Sequence, residues 1–472
     1  MATVKINVTN LTCKLSGDIK TLNRLRKETS FRNPNAFYMR SYMPRNWDGY
    51  QQRITEAGYF ASGLLPMMYT LLTEWKTEII ITDNRTTIEP AQIPDKVKEL
   101  VFRTYQGEAI KAVINNYVDD IYWPRGLVSA ATNAGKSLMI AGIAACFSDM
   151  PALILINDGT LYKQMLKDMP TLFNNWGYCQ GKKIKFGHVT VAMVQTLVGH
   201  LEEFREELAS IGVLLVDECD LSTSKTYKKV LARIPNAFVR VGLSGTVLVR
   251  NMAKDRIKNN LIISQFGDIL FKIKNLELMN LGFSTPIVIK LNKGNDRLIR
   301  SNDYDVEYLE GLVKNAQRNQ LIADRVGYYL KTATFPILVV GRLHEHVEIL
   351  YDVLARRFGV KYKIAYAHGG LPEKKRDEAI ENFRAGNLHI LVGSMIIKRG
   401  QNMPLIKVII NAAGGDGPST PLQILGRGTR TDESKDKVYY EDFYDRGDYL
   451  ERHSKHRYIY YRNEQLKIIK LF

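Results

Sequence analysis

The chain has 472 residues, 45% hydrophobic and 24% charged, with 66 Lys and Arg against 49 Asp and Glu for a net charge of +17. That length supports two or three domains with a sizeable core and requires no disulfide or metal staple; Cys13, Cys146, Cys179 and Cys219 are too scattered for a zinc knuckle or a disulfide framework. The positive excess calls for a polyanion, nucleic acid ahead of an acidic protein or lipid headgroups, and with no basic-then-apolar leader and no bilayer-length apolar run the expectation is a cytoplasmic, non-membrane protein.

Residues 1–97 read as a small α+β accessory domain. Val4–Val8 and Ile79–Thr82 are strand-like, and Pro90 and Pro94 mark its end. Its middle, Phe31–Arg53, interleaves aromatics with arginines, so bases could stack there while phosphates pair with Arg40 and Arg45. Phe37 and Trp47 are expected in the small domain's core. From about residue 98, short β-branched runs alternate with helical spacing. Strands are expected at Ala152–Ile156, Val213–Val216, Phe238–Leu243, Ile337–Val340, His389–Val392 and Val408–Ile410. Helices are expected at Leu161–Met169, Thr196–Leu208, Glu345–Phe358 and Glu373–Arg384. The pattern runs twice, over roughly 98–272 and 285–440, with KNLELMNLGFSTP between as a polar linker and a helical tail rich in Tyr, Arg and His, giving expected domains at 98–280 and 281–472. Such alternation builds parallel, doubly wound sheets, an α/β fold.

Within the first block, Ala130-Ala131-Thr132-Asn133-Ala134-Gly135-Lys136-Ser137 follows an apolar segment and opens a helical one. It approximates the phosphate-loop pattern G-x-x-x-x-G-K-[ST], with Ala130 in place of the first Gly. Gly135 lets the backbone wrap a phosphate, and the loop amides and helix N-terminus face it with positive potential. Lys136 reaches the outer phosphates, and Ser137 can ligate Mg²⁺. Downstream, Asp217-Glu218-Cys219-Asp220 ends an apolar strand. There Asp217 would hold the Mg²⁺ shell and Glu218 would activate the attacking water. Ser244-Gly245-Thr246 ends the next strand, and its hydroxyls could bond the acidic box.

The second block ends with Gln423-Ile424-Leu425-Gly426-Arg427-Gly428-Thr429-Arg430. Arg427 and Arg430 fall nearly one helical turn apart and could clamp a γ-phosphate. Upstream, Ser394 and the Arg399–Pro404 turn, with Gly400 in it, could meet nucleotide or nucleic-acid backbone. The tail cluster Arg446, Arg452, Lys455, His456, Arg457 and Arg462 reads equally as a basic patch or a solvated helix face.

In order and spacing these segments resemble helicase superfamily two. Arg103-Thr104-Tyr105-Gln106 is similar to the adenine-side Q element, ATNAGKS to motif I, VDECD to motif II, LSGT to motif III, GSMIIKRGQNMP to motif V and QILGRGTR to motif VI. The resemblance implies two tandem RecA-like domains with ATP and Mg²⁺ as cofactors. It implies catalysis by Lys136, Asp217, Glu218, Gln423, Arg427 and Arg430, and metal binding by Ser137 and Asp217. Nucleotide contacts would come from Tyr105, Gln106, Thr132, Asn133, Ala134, Gly135, Lys136, Ser137 and Gly400. Nucleic-acid contacts would come from Arg40, Arg45, Gln195, Ser394 and Arg399. Asn46-Trp47-Asp48-Gly49 together with the loop resembles phage UvsW-type recombination helicases. That implies a DNA motor acting on branched or forked DNA, by branch migration, fork regression and limited unwinding. It also implies a monomer in the host cytoplasm, with phage recombination or replication proteins as possible partners. Two residues depart from the pattern: Asp220 stands where such relatives carry His, and Asn402 where many carry Asp. An RNA helicase, or a nucleic-acid binding protein with a decayed ATP site, remain the alternatives.

Overall fold

The computed structural model describes the chain except for residues 1, 35, 39–46, 87, 90, 94–95, 98–99, 249–252, 295–300, 395–402, 404, 416–431 and 433. It divides into two compact units: Met1–Ala130 with Gly135–Lys272, and Ala131–Ala134 with Ile273–Phe472.

The first unit opens with strands β1 (Thr3–Val8) and β2 (Thr12–Gly17), helix α1 (Ile19–Thr29), strand β3 (Tyr59–Ala61), helix α2 (Leu65–Glu74) and strand β4 (Glu78–Asp83). The strands form a sheet in the order β3-β2-β1-β4. Val4, Ile6 and Val8 are buried while Lys5 and Asn7 point to solvent, so the period of two places one face on a core. Leu25 of α1 and Leu65, Met68 and Leu72 of α2 fill that core, and Trp123 closes it. Asp18 caps α1, its carboxylate accepting from the Thr21 amide at 2.9 Å. Phe37 and Trp47 do not belong to this core: Phe37 is 66% exposed, and half-buried Trp47 donates its indole N–H to the Tyr50 carbonyl at 2.6 Å.

The rest of this unit is a doubly wound sheet. Its elements are α3 (Thr104–Ile114), β5 (Arg125–Ala130), α4 (Lys136–Cys146), β6 (Ala152–Ile156), α5 (Gly159–Leu172), β7 (Trp176–Gln180), β8 (Lys183–Lys185) and β9 (Val189–Met193). Then follow β10 (Val213–Asp217), α6 (Lys225–Leu231), β11 (Val239–Ser244), α7 (Ala253–Phe266) and β12 (Ile269–Ile273). The order is β8-β7-β9-β6-β10-β11-β5-β12, and β7, β9, β6, β10, β11 and β5 are parallel to their neighbours in that run. Every residue of β6 and β10 is buried, as a sheet covered on both faces requires. Thr196–Leu208, expected as one helix, is two short ones, Val194–Leu197 and Arg205–Ser210. Gly199, a poor helix former, donates instead to the Thr196 carbonyl and turns the chain.

The second unit carries β13 (Ile287–Lys293), α8 (Ala316–Lys331), β14 (Ile337–Val340), α9 (His344–Phe358), β15 (Ile364–Ala367), α10 (Glu373–Arg384) and β16 (Ile390–Gly393). It continues with β17 (Val408–Asn411), β18 (Val438–Tyr444), α11 (Asp448–Asn463) and β19 (Lys467–Lys470). Its seven-stranded sheet runs β15-β16-β14-β17-β18-β13-β19 and is parallel throughout. Leu338 and Val340 pack with Phe383 of α10 on one face; Ile337 and Val339 pack with α8 and α9 on the other. The polar stretch read as a linker folds in part: Asn275–Asn280 is helical, the Glu277 side chain accepting from the Lys274 amide, and Gly282 at φ 74 follows its end. In the basic tail, Arg457 is core rather than surface, with Nε 2.9 Å from Asp442 Oδ2.

Candidate nucleotide and nucleic-acid site

Because the central strands of the first sheet are parallel, their carboxyl ends share one edge, where ligands of such sheets bind. That edge carries the exit of β5 into the phosphate loop, Asn157 after β6, Gln195 after β9, Asp217 and Glu218 at the end of β10, and Ser244 at the end of β11.

The loop begins at buried Ala130, which is not among the residues of positive φ, so a Cβ fits where the pattern has Gly. Ala134 donates to the Ala131 carbonyl at 3.1 Å, and both are buried. Thr132 and Asn133 are half-buried, Asn133 at φ 73. Gly135 is the N-cap of α4 at φ 76, ψ 45, a left-handed conformation that favours glycine. A Cβ there would meet the side-chain amide nitrogen of Gln106, the movable end of that side chain, so it is the backbone conformation rather than space that calls for glycine. Gln106 is buried in the first turn of α3, and its Oε1 accepts from the Arg103 amide at 2.9 Å. Tyr105 is buried beside it, with Arg103 Nη1 3.0 Å from the phenol oxygen. Ser137 is half-buried in the first turn of α4.

Lys136 Nζ lies 3.5 Å from Glu218 Oε1. Burial works to lower the lysine's pKa, but the carboxylates of Glu218 and Asp217 outweigh it, and the net shift is upward. Asp217 is buried, and burial pushes its carboxyl up to about 6 against the pull of Lys136. Its Oδ1 accepts from the Glu218 amide at 3.0 Å. Glu218 sits at φ 49, ψ 51, a left-handed conformation that costs a non-glycine residue about 1–3 kcal/mol and collects at functional sites. Ser244 Oγ is 3.0 Å from Glu218 Oε2 and 3.0 Å from Asp220 Oδ1, so one hydroxyl ties the acidic box to the neighbouring strand. Asp220, where His was the family expectation, also faces Lys258 Nζ of α7 at 3.7 Å. Burial and the Glu218 charge raise its pKa; Lys258 and Ser244 oppose them. Lys258 carries no sequence signal, because it belongs to an ordinary polar helix that the fold brings to Asp220.

Among the described residues, no group of three or more His, Cys, Asp or Glu could cage a metal. Mg²⁺ arriving with a nucleotide needs only one or two protein oxygens, the rest coming from phosphate and water. The buried Asp217 carboxylate, which a cation would relieve of its desolvation, fits that requirement.

Gln195 is exposed; its side-chain amide donates to the Asn157 carbonyl at 2.9 Å and also meets Asn157 Oδ1. In the second unit, Ser394 follows β16, is buried, and donates its amide to the Ala367 carbonyl at 2.9 Å. Arg40, Arg45, Arg399, Gly400, Gln423, Arg427 and Arg430 lie outside the described residues. No helix among the described residues is long and apolar enough to cross a membrane.

Two family models match the chain: the Type III restriction enzyme res subunit over residues 99–248 and the helicase conserved C-terminal domain over residues 325–432. The chain is 24% identical over 362 residues to IRC3 of Saccharomyces cerevisiae, covering 73% of this chain and 51% of that one, so it spans about half the length of that relative. It is 22% identical over 385 residues to the ATP-dependent DNA helicase uvsW of Enterobacteria phage T4, covering 77% and 70%. Fungal ATP-dependent RNA helicases also match, over 49% of this chain. Among solved structures, S. cerevisiae Dbp5 bound to RNA and ADP BeF3 aligns with a TM-score of 0.52 at 14% identity, over 78% of this chain and 89% of that one. That likeness supports the fold, two parallel-sheet domains of the RecA-like kind. Both domain matches stand in the order and at the blocks where the motifs lie, and the chain belongs to helicase superfamily two.

Proposed function

We propose that this protein is an ATP-dependent DNA helicase or translocase that works on branched or forked DNA, by branch migration, fork regression and limited unwinding. The observation that carries the reading is the linked set at one sheet edge: Lys136 on Glu218, and Glu218 on Ser244, which also holds Asp220. Lys136 would neutralise charge on the outer phosphates, and Glu218 would orient and deprotonate the attacking water. Ser244 would report the state of Glu218 to β11. Mg²⁺ held by Ser137 and Asp217 would balance charge developing on the phosphates. Gln106 and Tyr105 would take the base, and Thr132, Asn133, Ala134 and Gly135 the phosphates, with Gly400 closing the nucleotide contacts. Gln423, Arg427 and Arg430 are assigned catalytic roles on the triphosphate, and hydrolysis would be converted into stepping.

Residues 1–97 serve as the accessory grip, 98–280 as the ATP-binding domain and 281–472 as the C-terminal motor domain with its tail. Arg40, Arg45, Gln195, Ser394 and Arg399 are the assigned DNA contacts. The preference for DNA is supported by similarity to a phage DNA helicase over most of both chains. The protein is placed in the cytoplasm as a monomer. Strand displacement and junction migration on Holliday junctions, forks, plain duplex and RNA duplex test the reading. Junctions and forks should be processed with ATP, and not by Lys136→Ala. Processing of RNA alone would replace it with an RNA helicase.

A further inference from the structure

Arg125 begins β5, at the end opposite the phosphate loop, and is 1% exposed. All five of its N–H donors are used. Nε donates to the Phe238 carbonyl at 2.9 Å; Nη1 to the Asn10 carbonyl at 2.7 Å and Ser62 Oγ at 2.9 Å; Nη2 to Asn10 Oδ1 at 2.9 Å and the Ala237 carbonyl at 2.6 Å. The acceptors come from three places: the β1–β2 turn, the turn before α2, and the foot of β11. Ser62 Oγ itself donates to the Asn10 carbonyl at 2.9 Å, which closes the ring. None of the five acceptors is a carboxylate.

The surroundings add cost. Arg85 and Arg240 are buried nearby. Arg85 stacks on Trp123 at 4.4 Å and Arg125 on the same ring at 5.0 Å. Asp83, paired with Arg85 at 2.7 Å, is the carboxylate of this group. Apolar replacement of buried charge is often neutral or stabilising, so stability alone does not account for the fork. Its placement does. β5 and β11 pair from Arg125 with Arg240 to Ser129 with Ser244. One strand ends in the phosphate loop and the other in the serine that holds Glu218 and Asp220, about 13 Å away at ~3.3 Å per residue. Gly63 in the same N-terminal turn lies so close to α7 that a Cβ would strike the carbonyls of Ile263 and Ser264.

We propose that Arg125 is a positioning residue that locks the N-terminal sheet to the feet of β5 and β11, so that load on nucleic acid held by residues 1–97 reaches the phosphate loop and Ser244. This rests on the nucleic-acid motor reading above. The test compares full-length wild type with Arg125→Lys, which keeps a charge but cannot fork, and with the double variant Asn10→Ala, Ser62→Ala, which removes both side-chain acceptors and leaves Arg125 on the main-chain carbonyls of Asn10, Ala237 and Phe238. ATP turnover without nucleic acid and the dissociation constant for forked DNA should stay within about two-fold of wild type. The increment in turnover on adding forked DNA should fall at least ~5-fold, the lower end of coupling between sites. Amide exchange in Thr3–Val8 should rise while that of β10 holds. A folded variant with the wild-type increment overturns the proposal, as does a basal rate that falls in proportion to the increment. If Arg125→Lys does not fold, the double variant decides. Loss confined to the variants bears on Arg125, whereas a wild type that no nucleic acid stimulates removes the motor reading and this inference with it.

Discussion

The two ends of β5 and β11 solve opposite problems with similar side chains. At the carboxyl ends, charges stand in relief: Lys136 faces Glu218 at 3.5 Å, Asp217 is held up near 6, and Gly135, Asn133 and Glu218 occupy left-handed backbone. At the amino ends, Arg125 has every donor satisfied, and burial holds its pKa well below the usual guanidinium value. Other buried arginines are paired with carboxylates: Arg85 with Asp83 at 2.7 Å in the first unit, and Arg318 with Asp445 at 2.8 Å and Arg457 with Asp442 at 2.9 Å in the second. The difference teaches that burial of charge alone does not mark a site. Strained backbone and incompletely neutralised groups at a sheet's carboxyl edge do, whereas a saturated fork marks a joint.

The comparison would break first at Lys136. Lys136→Ala should cut ATP turnover by about 10²–10³-fold with little change in melting temperature or in DNA affinity. Phosphate release near the wild-type rate would remove the carboxyl edge from the chemistry. Gly135→Ala comes next, since it forces a Cβ into left-handed backbone and pushes the Gln106 side-chain amide aside. A cost of about 1–3 kcal/mol should appear in chemical denaturation together with weakened nucleotide binding, and an unchanged midpoint would show that this turn carries no strain. Ser244→Ala, which removes both carboxylate contacts at once, should cost about 1 kcal/mol and slow turnover several-fold. Its value is to sharpen the contrast, because a joint residue would lose stability without losing rate.

The smallest effect is in pH. The Asp217 pKa is raised, so the nucleotide-free fold holds that proton more tightly than the unfolded chain does. Its share of stability is whole below the ordinary carboxylate value of 3.8 and is lost as pH rises through about 6. Binding of Mg²⁺–ATP needs the ionised carboxylate, so it should strengthen over the same rise. Asp217→Asn should flatten the melting-temperature profile between those two values; an unaltered slope would place the titration elsewhere.

Much of the fold was legible because buried parallel strands write themselves as short β-branched runs. Ala152–Ile156 and Ile337–Val340 coincide with the observed strands, and Glu373–Arg384 with the observed helix. Trp176–Gln180 and Ile364–Ala367 were not expected: polar and aromatic residues interrupt them, and only pairing in the sheet makes them strands. The candidate site was legible where chemistry depends on adjacent residues, as in Gly135-Lys136-Ser137 and Asp217-Glu218. Contacts that depend on tertiary approach left no trace in spacing. Lys258 reaches Asp220 from a helix 38 positions on, and Gln106 packs against Gly135 from another helix. Arg125 carries no signal in the sequence either, because the three segments that meet around it are distant along the chain.

Phosphate release by the full chain, with and without forked DNA, tests the central claim most directly. The account predicts Mg²⁺-dependent turnover that forked DNA accelerates more than plain duplex or RNA does, and that Lys136→Ala abolishes. Release no faster than that variant's, with fork present, would contradict it.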